Sequence, residues 1–136
     1  MKTHKTSLVG KSLDDFLDIC DIHNVDSYRA EQIFNWIYKN NINDFESLNN
    51  IPNGFIKILK EQHIIHPLVF VRSTKSTSGL TNKFLFKTQS GALIESVLMN
   101  EGSRTTLCLS TQVGCALDCK FCATAKMGFI DNLSRG

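Results

Sequence analysis

The sequence predicts an α+β chain in three stretches: a helical module over residues 1–61, a small antiparallel β-sheet over 62–103, and a strand entering a cysteine loop over 104–136. Three observations carry this reading. Apolar residues recur at helical spacing as far as His66-Pro67. Beyond it, short runs rich in β-branched and aromatic residues alternate with Gly/Ser turns. Three of the five cysteines then fall within residues 115–122.

In order along the chain, Ser12-Leu13-Asp14-Asp15 resembles a capping box with Asp in place of Glu, and Leu13, Phe16, Leu17 and Cys20 follow at i, i+3, i+4 and i+7. This predicts a first helix with Cys20 on its core stripe. After the turn-like residues 24–27, the segment Tyr28 to Lys39 places Ala30, Ile33, Phe34, Ile37 and Tyr38 on one stripe, with Trp36 at its edge. Asn40-Asn41 ends it. A short helical turn is expected over 44–48, and Pro52 opens a further helix carrying Phe55, Ile58 and Leu59.

Strands are expected at Leu68 to Thr74, Asn82 to Lys87 and Leu93 to Met99, separated by the turn chemistry of residues 75–79 and 89–91. A fourth, Arg104 to Ser110, leads into the cysteine loop. Ser134 is placed to cap a following helix.

Bulk properties exclude several classes. The hydrophobic share of 42% and charged share of 21% are those of a globular rather than a disordered chain. No apolar run approaches the ~20 residues of a transmembrane helix, and the start lacks a secretory signal, so no membrane partner and a cytoplasmic location are expected. Residues 1–61 hold seven Lys/Arg against nine Asp/Glu, whereas 62–136 hold eight against four. Between Gln62 and Ile94 there is no acid, while Arg72, Lys75, Lys83 and Lys87 are present. That stretch is a candidate to attract a polyanion, although a solvated sheet face explains the charge equally well.

Five cysteines, an odd number with three in one loop, suit a reducing compartment and a metal site better than a disulfide framework. Cys115-Ala-Leu-Asp-Cys119-Lys-Phe-Cys122 offers three thiolates, soft ligands for zinc or an iron–sulfur cluster. Structural zinc is usually held by four ligands in two close pairs, and no fourth is near: Cys108 lies on the preceding strand, and His4, His23, His63 and His66 are remote. The spacing favours a cluster in which three cysteines leave one iron open.

This CxxxCxxC run resembles the signature of the radical S-adenosylmethionine superfamily. The longer text from Cys108-Leu-Ser-Thr-Gln-Val-Gly-Cys115 through Cys122-Ala-Thr-Ala-Lys-Met-Gly-Phe129 is similar to the RlmN-type RNA methyltransferases. So are Tyr28-Arg-Ala-Glu-Gln-Ile-Phe-Asn-Trp-Ile-Tyr38 and Gly91-Ala-Leu-Ile-Glu-Ser-Val-Leu-Met99. The sister Cfr-type enzymes, which act on adenine carbon 8, share the cysteine pattern, but Val113-Gly114 and Ala116-Leu117 look more like the first group. Ala125 departs from it, a glycine being common there.

The resemblance implies a methyltransferase acting on carbon 2 of adenine in 23S rRNA and tRNA. It implies a [4Fe-4S] cluster on Cys115, Cys119 and Cys122 as metal and cofactor ligands, with S-adenosyl-L-methionine on the open iron. An external flavodoxin-like electron donor and a monomer are expected with it. Residues 104–136 would be the first strand and cluster loop of a partial (β/α) barrel. In the implied reaction a cysteine near the C-terminus of the enzyme is methylated and its S-methyl group gives up hydrogen to a deoxyadenosyl radical. The resulting carbon radical adds to adenine, and a second cysteine, which maps to Cys108, deprotonates the adduct before a transient disulfide releases product. The family's proton acceptor maps to Glu95.

Read from the residues alone, Cys108 shares a strand face with Thr106 and Ser110 rather than with Leu107 and Leu109, which favours a site-facing thiol over a core one. Glu95, on a strand apolar on both faces, is expected to be partly buried, and burial would raise its pKa; a paired structural acid or an edge position is the commoner explanation for such a residue. No cysteine follows Cys122. The chain is therefore expected to be an N-terminal fragment, not competent alone. The other reading is a non-catalytic RNA-binding or interaction module whose cysteine loop is empty or holds zinc.

Overall fold

The computed structural model describes residues 5–117 and 119–136 as two compact units, one comprising the chain to Pro67 together with Arg135 and Gly136, the other Leu68–Ser134. In the first unit, helix α1 (Leu13–Ile22) starts where the sequence places it. The Ser12 side chain accepts from the Asp15 backbone N–H, and the Asp15 carboxylate accepts from the Ser12 N–H, so two otherwise orphaned donors are satisfied. These bonds, led by the Ser12 backbone N–H, hold the Asp15 carboxyl below the usual carboxylate range.

Helix α2 (Tyr28–Tyr38) packs on α1, and after a single 3-10 turn (Phe45–Ser47) the chain enters α3 (Asn53–Gln62). Phe16, Cys20, Ile33, Leu48, Phe55 and Leu59 are buried together; all but Leu48, from the short turn over 44–48, come from the apolar stripes of the sequence. A fully enclosed Phe or Leu contributes about 2 kcal/mol by leaving water. Tyr38 adds a polar tie: its hydroxyl donates to the Lys11 carbonyl (2.8 Å) and accepts from the Gly10 N–H (2.8 Å). Two strands that the sequence reading does not contain, β1 (Thr6–Ser7) and β2 (His63–Ile64), pair in parallel across the unit. Each has only two residues, too few for an alternation signal.

The second unit is built on a four-stranded antiparallel meander, β3 (Val69–Lys75), β4 (Thr81–Lys87), β5 (Leu93–Glu101) and β6 (Arg104–Leu109), in that spatial order. The strand expected to lead into the cysteine loop is thus hydrogen-bonded as the fourth strand of this sheet. Beyond it, β7 (Gln112–Gly114) and β8 (Phe129–Asn132) pair antiparallel and bracket the cysteines. No helix among the described residues is long and apolar enough to cross a membrane.

Candidate active site

Antiparallel partners point to the same side of a sheet, so the register assigns every side chain to a face. On β5, Leu93, Glu95, Val97 and Met99 share one face; opposite them on β4 lie Lys87, Leu85, Lys83 and Thr81. On β6, Cys108 is opposite Val97 and Thr106 opposite Met99. Cys108 and Glu95 are therefore diagonal neighbours, a relation that separates Cα atoms by roughly 7–8 Å. Past the end of β6, the Ser110 hydroxyl donates to the Glu95 carbonyl (2.6 Å) and extends the pairing to the start of the loop.

The opposite face is apolar, with Phe84, Phe86, Ile94, Leu98, Leu107 and Leu109 joined by Phe70. Phe70 and Phe86 meet edge to face at 6.1 Å.

Cys108 is exposed, on the side of Thr106. Glu95 is a correction to the expected burial. Its side chain is 51% exposed, and its Oε1 lies 3.0 Å from Lys83 Nζ, itself 50% exposed. The apolar residues beside Glu95 in sequence divide between two faces: Ile94 is buried on one, whereas Leu93, on the face of Glu95, is 50% exposed. Apolar neighbours along a strand do not bury a carboxylate when its own face is open to water. The Lys83 partner, counted from the sequence only as a cation, is what the burial argument lacked.

A β-bulge at Val71 completes this face. Phe70 is opposite Phe86 and Arg72 is opposite Leu85, leaving Val71 without a counterpart. Two positions that alternation would keep together are thereby divided, Phe70 to the apolar face and Arg72 to the face of Glu95. Lys75, opposite Asn82, lies on the apolar side.

The cysteine loop is closed by a backbone neck. The Cys115 N–H donates to the Gly128 carbonyl (3.1 Å), and Gly114 has φ +76°. A Cβ on Gly114 would sit 1.7 Å from that same carbonyl oxygen, so no other residue fits without parting the strands. Inside the loop the Cys122 N–H donates to the Cys119 carbonyl (3.0 Å). Backbone N–H groups of Ala125, first, and Thr124 hold the Cys122 thiol below its ordinary pKa, favouring the thiolate. Ala125, the departure from the family pattern, is buried.

All five cysteines are free, and Cys115, Cys119 and Cys122 are half-buried, so three soft sulfur donors are available to a cluster. Among the described residues no three Cys, His, Asp or Glu side chains are gathered to hold an ion; Asp118, inside the cysteine motif, lies outside those residues. Donor chemistry fits a cluster; the gathered geometry is not formed in this structure.

Comparison with known proteins gives matches of three kinds. Residues 6–65 match the family described as the ribosomal RNA large subunit methyltransferase N-terminal domain. The chain is 44% identical to a dual-specificity RNA methyltransferase RlmN of Desulfosudis oleivorans over 88% of its own length and 32% of that protein. With a probable RlmN of Oceanobacillus iheyensis it shares 38% identity over 97% of its length and 37% of the relative. The chain thus spans about a third of the length of the curated relatives it matches. Among solved structures, a radical SAM methyltransferase from Sphaerobacter thermophilus superposes with a TM-score of 0.86 at 38% identity, covering 94% of this chain and 38% of that one.

Proposed function

The chain belongs to the RlmN-type RNA methyltransferases over the N-terminal third that it spans, and on that premise we propose that it supplies the cluster loop and the proton-handling face of an enzyme methylating carbon 2 of adenine in 23S rRNA and tRNA. The observation carrying this is the shared face of Glu95 and Cys108 on β5 and β6, beside the strand that enters the cysteine loop.

Cys115, Cys119 and Cys122 would hold a [4Fe-4S] cluster, leaving one iron for S-adenosyl-L-methionine. When bound, that pair supplies the one-electron chemistry, fed by an external flavodoxin-like donor. The chain's own residues do the rest. The Gly114–Gly128 neck fixes where the loop leaves the sheet. The exposed Cys108 would take the proton of the adenine adduct and pass it on, then attack as thiolate the sulfur of the methyl-carrying cysteine, which is not among these residues; the sulfur–sulfur bond forms as that sulfur's bond to the transferred carbon breaks, its electron pair passing to the adenine. The Glu95 carboxylate accepts a proton on the same face. Acting on carbon 2 requires the base to leave its stack.

The test is anaerobic reconstitution with iron and sulfide, followed by metal analysis and electron paramagnetic resonance. About four irons per chain are expected, with uptake lost in Cys115→Ser, Cys119→Ser and Cys122→Ser and kept in Cys20→Ala. One zinc per chain with no cluster signal would replace this reading with that of a non-catalytic RNA-binding module.

A further inference from the structure

On the face that carries Glu95 and Cys108, the register sets the side chains in rows across the strands. One row runs Arg72, Leu85, Glu95; the next runs Thr74, Lys83, Val97, Cys108; on the other side lies Val69, Lys87, Leu93. Arg72, Lys83 and Lys87 therefore surround Leu85 as a triangle of cations, all three exposed. Glu95 is next to the triangle, already paired with Lys83.

We propose that Arg72, Lys83 and Lys87 bind the phosphates of the RNA backbone, and that docking there draws Lys83 away from Glu95, freeing the carboxylate as the base arrives. The proposal rests on the functional reading above and adds a surface and a coupling to it. Three details support it. The bulge at Val71 brings Arg72 to this face, where unbroken alternation from Phe70 would place it on the other. Lys83 and Lys87 stand two strands away from Cys108 and Arg72 three, so a backbone held there leaves room for a base to reach the thiol. The Lys83–Glu95 pair is half exposed, and such pairs are weak enough to exchange for a phosphate contact.

Lys75 separates this idea from a general attraction by charge. It is as close in sequence and equally basic, but it lies on the opposite face, across from Asn82.

The test uses the 136-residue chain and a short adenine-containing single-stranded oligoribonucleotide, with binding measured against salt concentration. Replacing Arg72, Lys83 and Lys87 by Ser is expected to weaken binding and to reduce the salt slope by about 2, near 0.7 per lost phosphate contact. Lys75→Ser leaves both unchanged. For the coupling, the carboxyl carbon of Glu95 is followed by NMR at fixed pH. Its signal should move on adding the oligoribonucleotide, and Lys83→Met should place it near the bound position before any RNA is added. Equal losses from Lys75→Ser and Lys83→Ser, equal binding of polyglutamate, no RNA binding by the unaltered chain, or an unmoved Glu95 signal would each overturn the proposal. A triple variant that loads a cluster and binds RNA normally overturns this inference alone. A chain that never takes up iron overturns the cluster reading instead.

Discussion

His63 shows how one half-buried side chain ties the first unit to pH. Its Nδ1 lies 2.7 Å from the Thr6 hydroxyl, where β1 and β2 meet. Burial, ahead of the nearby Lys11 charge, lowers its pKa below 6.5, and the Thr6 contact opposes the shift only in part. A lowered folded pKa means that the unfolded chain takes up the proton first. The stabilising contribution is full above pH 6.5 and is lost as pH falls toward the folded value. Trp36 is the sole tryptophan and lies in this unit. The urea midpoint read from its fluorescence should therefore drop between pH 7.5 and 5.5, and His63→Gln should flatten that drop. Glu95 gives the complementary lesson. Its place on a strand was legible in the sequence, but its exposure depended on which neighbours share its face.

Among the elements, the β7–β8 neck is the most exacting. Gly114→Ala would drive a methyl group into the Gly128 carbonyl, so the strands must separate and the Cys115 N–H must lose its acceptor. Amide exchange at Cys115 should speed up at least tenfold, with retained iron falling in parallel, while Trp36 fluorescence stays that of the folded helical unit. Gly128→Ala meets no atom within 4 Å but retains an unfavourable φ of +71°, and should cost less. The helices were legible because their signals are local: the Ser12–Asp15 box, the Tyr28–Tyr38 stripe and Pro52 act within one or two turns. The register came with the structure: Gly102-Ser103 is a two-residue hairpin turn that sets Cys108 opposite Val97, and the turn centred on Ser90 sets Leu85 opposite Glu95. The four strands themselves were legible from their composition. The neck was not, because β7 and β8 have three and four residues, and their pairing spans the whole cysteine loop.

For the molecule as a whole, the four-stranded sheet presents two unlike faces. The side of Phe70, Leu107 and Leu109 leaves these residues 56%, 56% and 61% exposed. That is a sizeable apolar surface in contact with water. The chain should bind a hydrophobic reporter dye, and Leu107→Thr with Leu109→Thr should at least halve the signal without changing the Glu95 and Cys108 face. The acid-free run between Gln62 and Ile94 was visible in the sequence as charge alone. What the fold adds is its division, with Lys75 on the dye-binding side and Arg72, Lys83 and Lys87 on the other.

The bulge behind that division also makes β3 tolerant of a change in length. Because Val71 has no partner, deleting it would leave Phe70 opposite Phe86 and Arg72 opposite Leu85 in an ordinary ladder. Position 71 is thus where this strand can lose a residue and give up only twist, whereas a deletion between Lys83 and Lys87 in β4 would put the two lysines on opposite sides of the sheet.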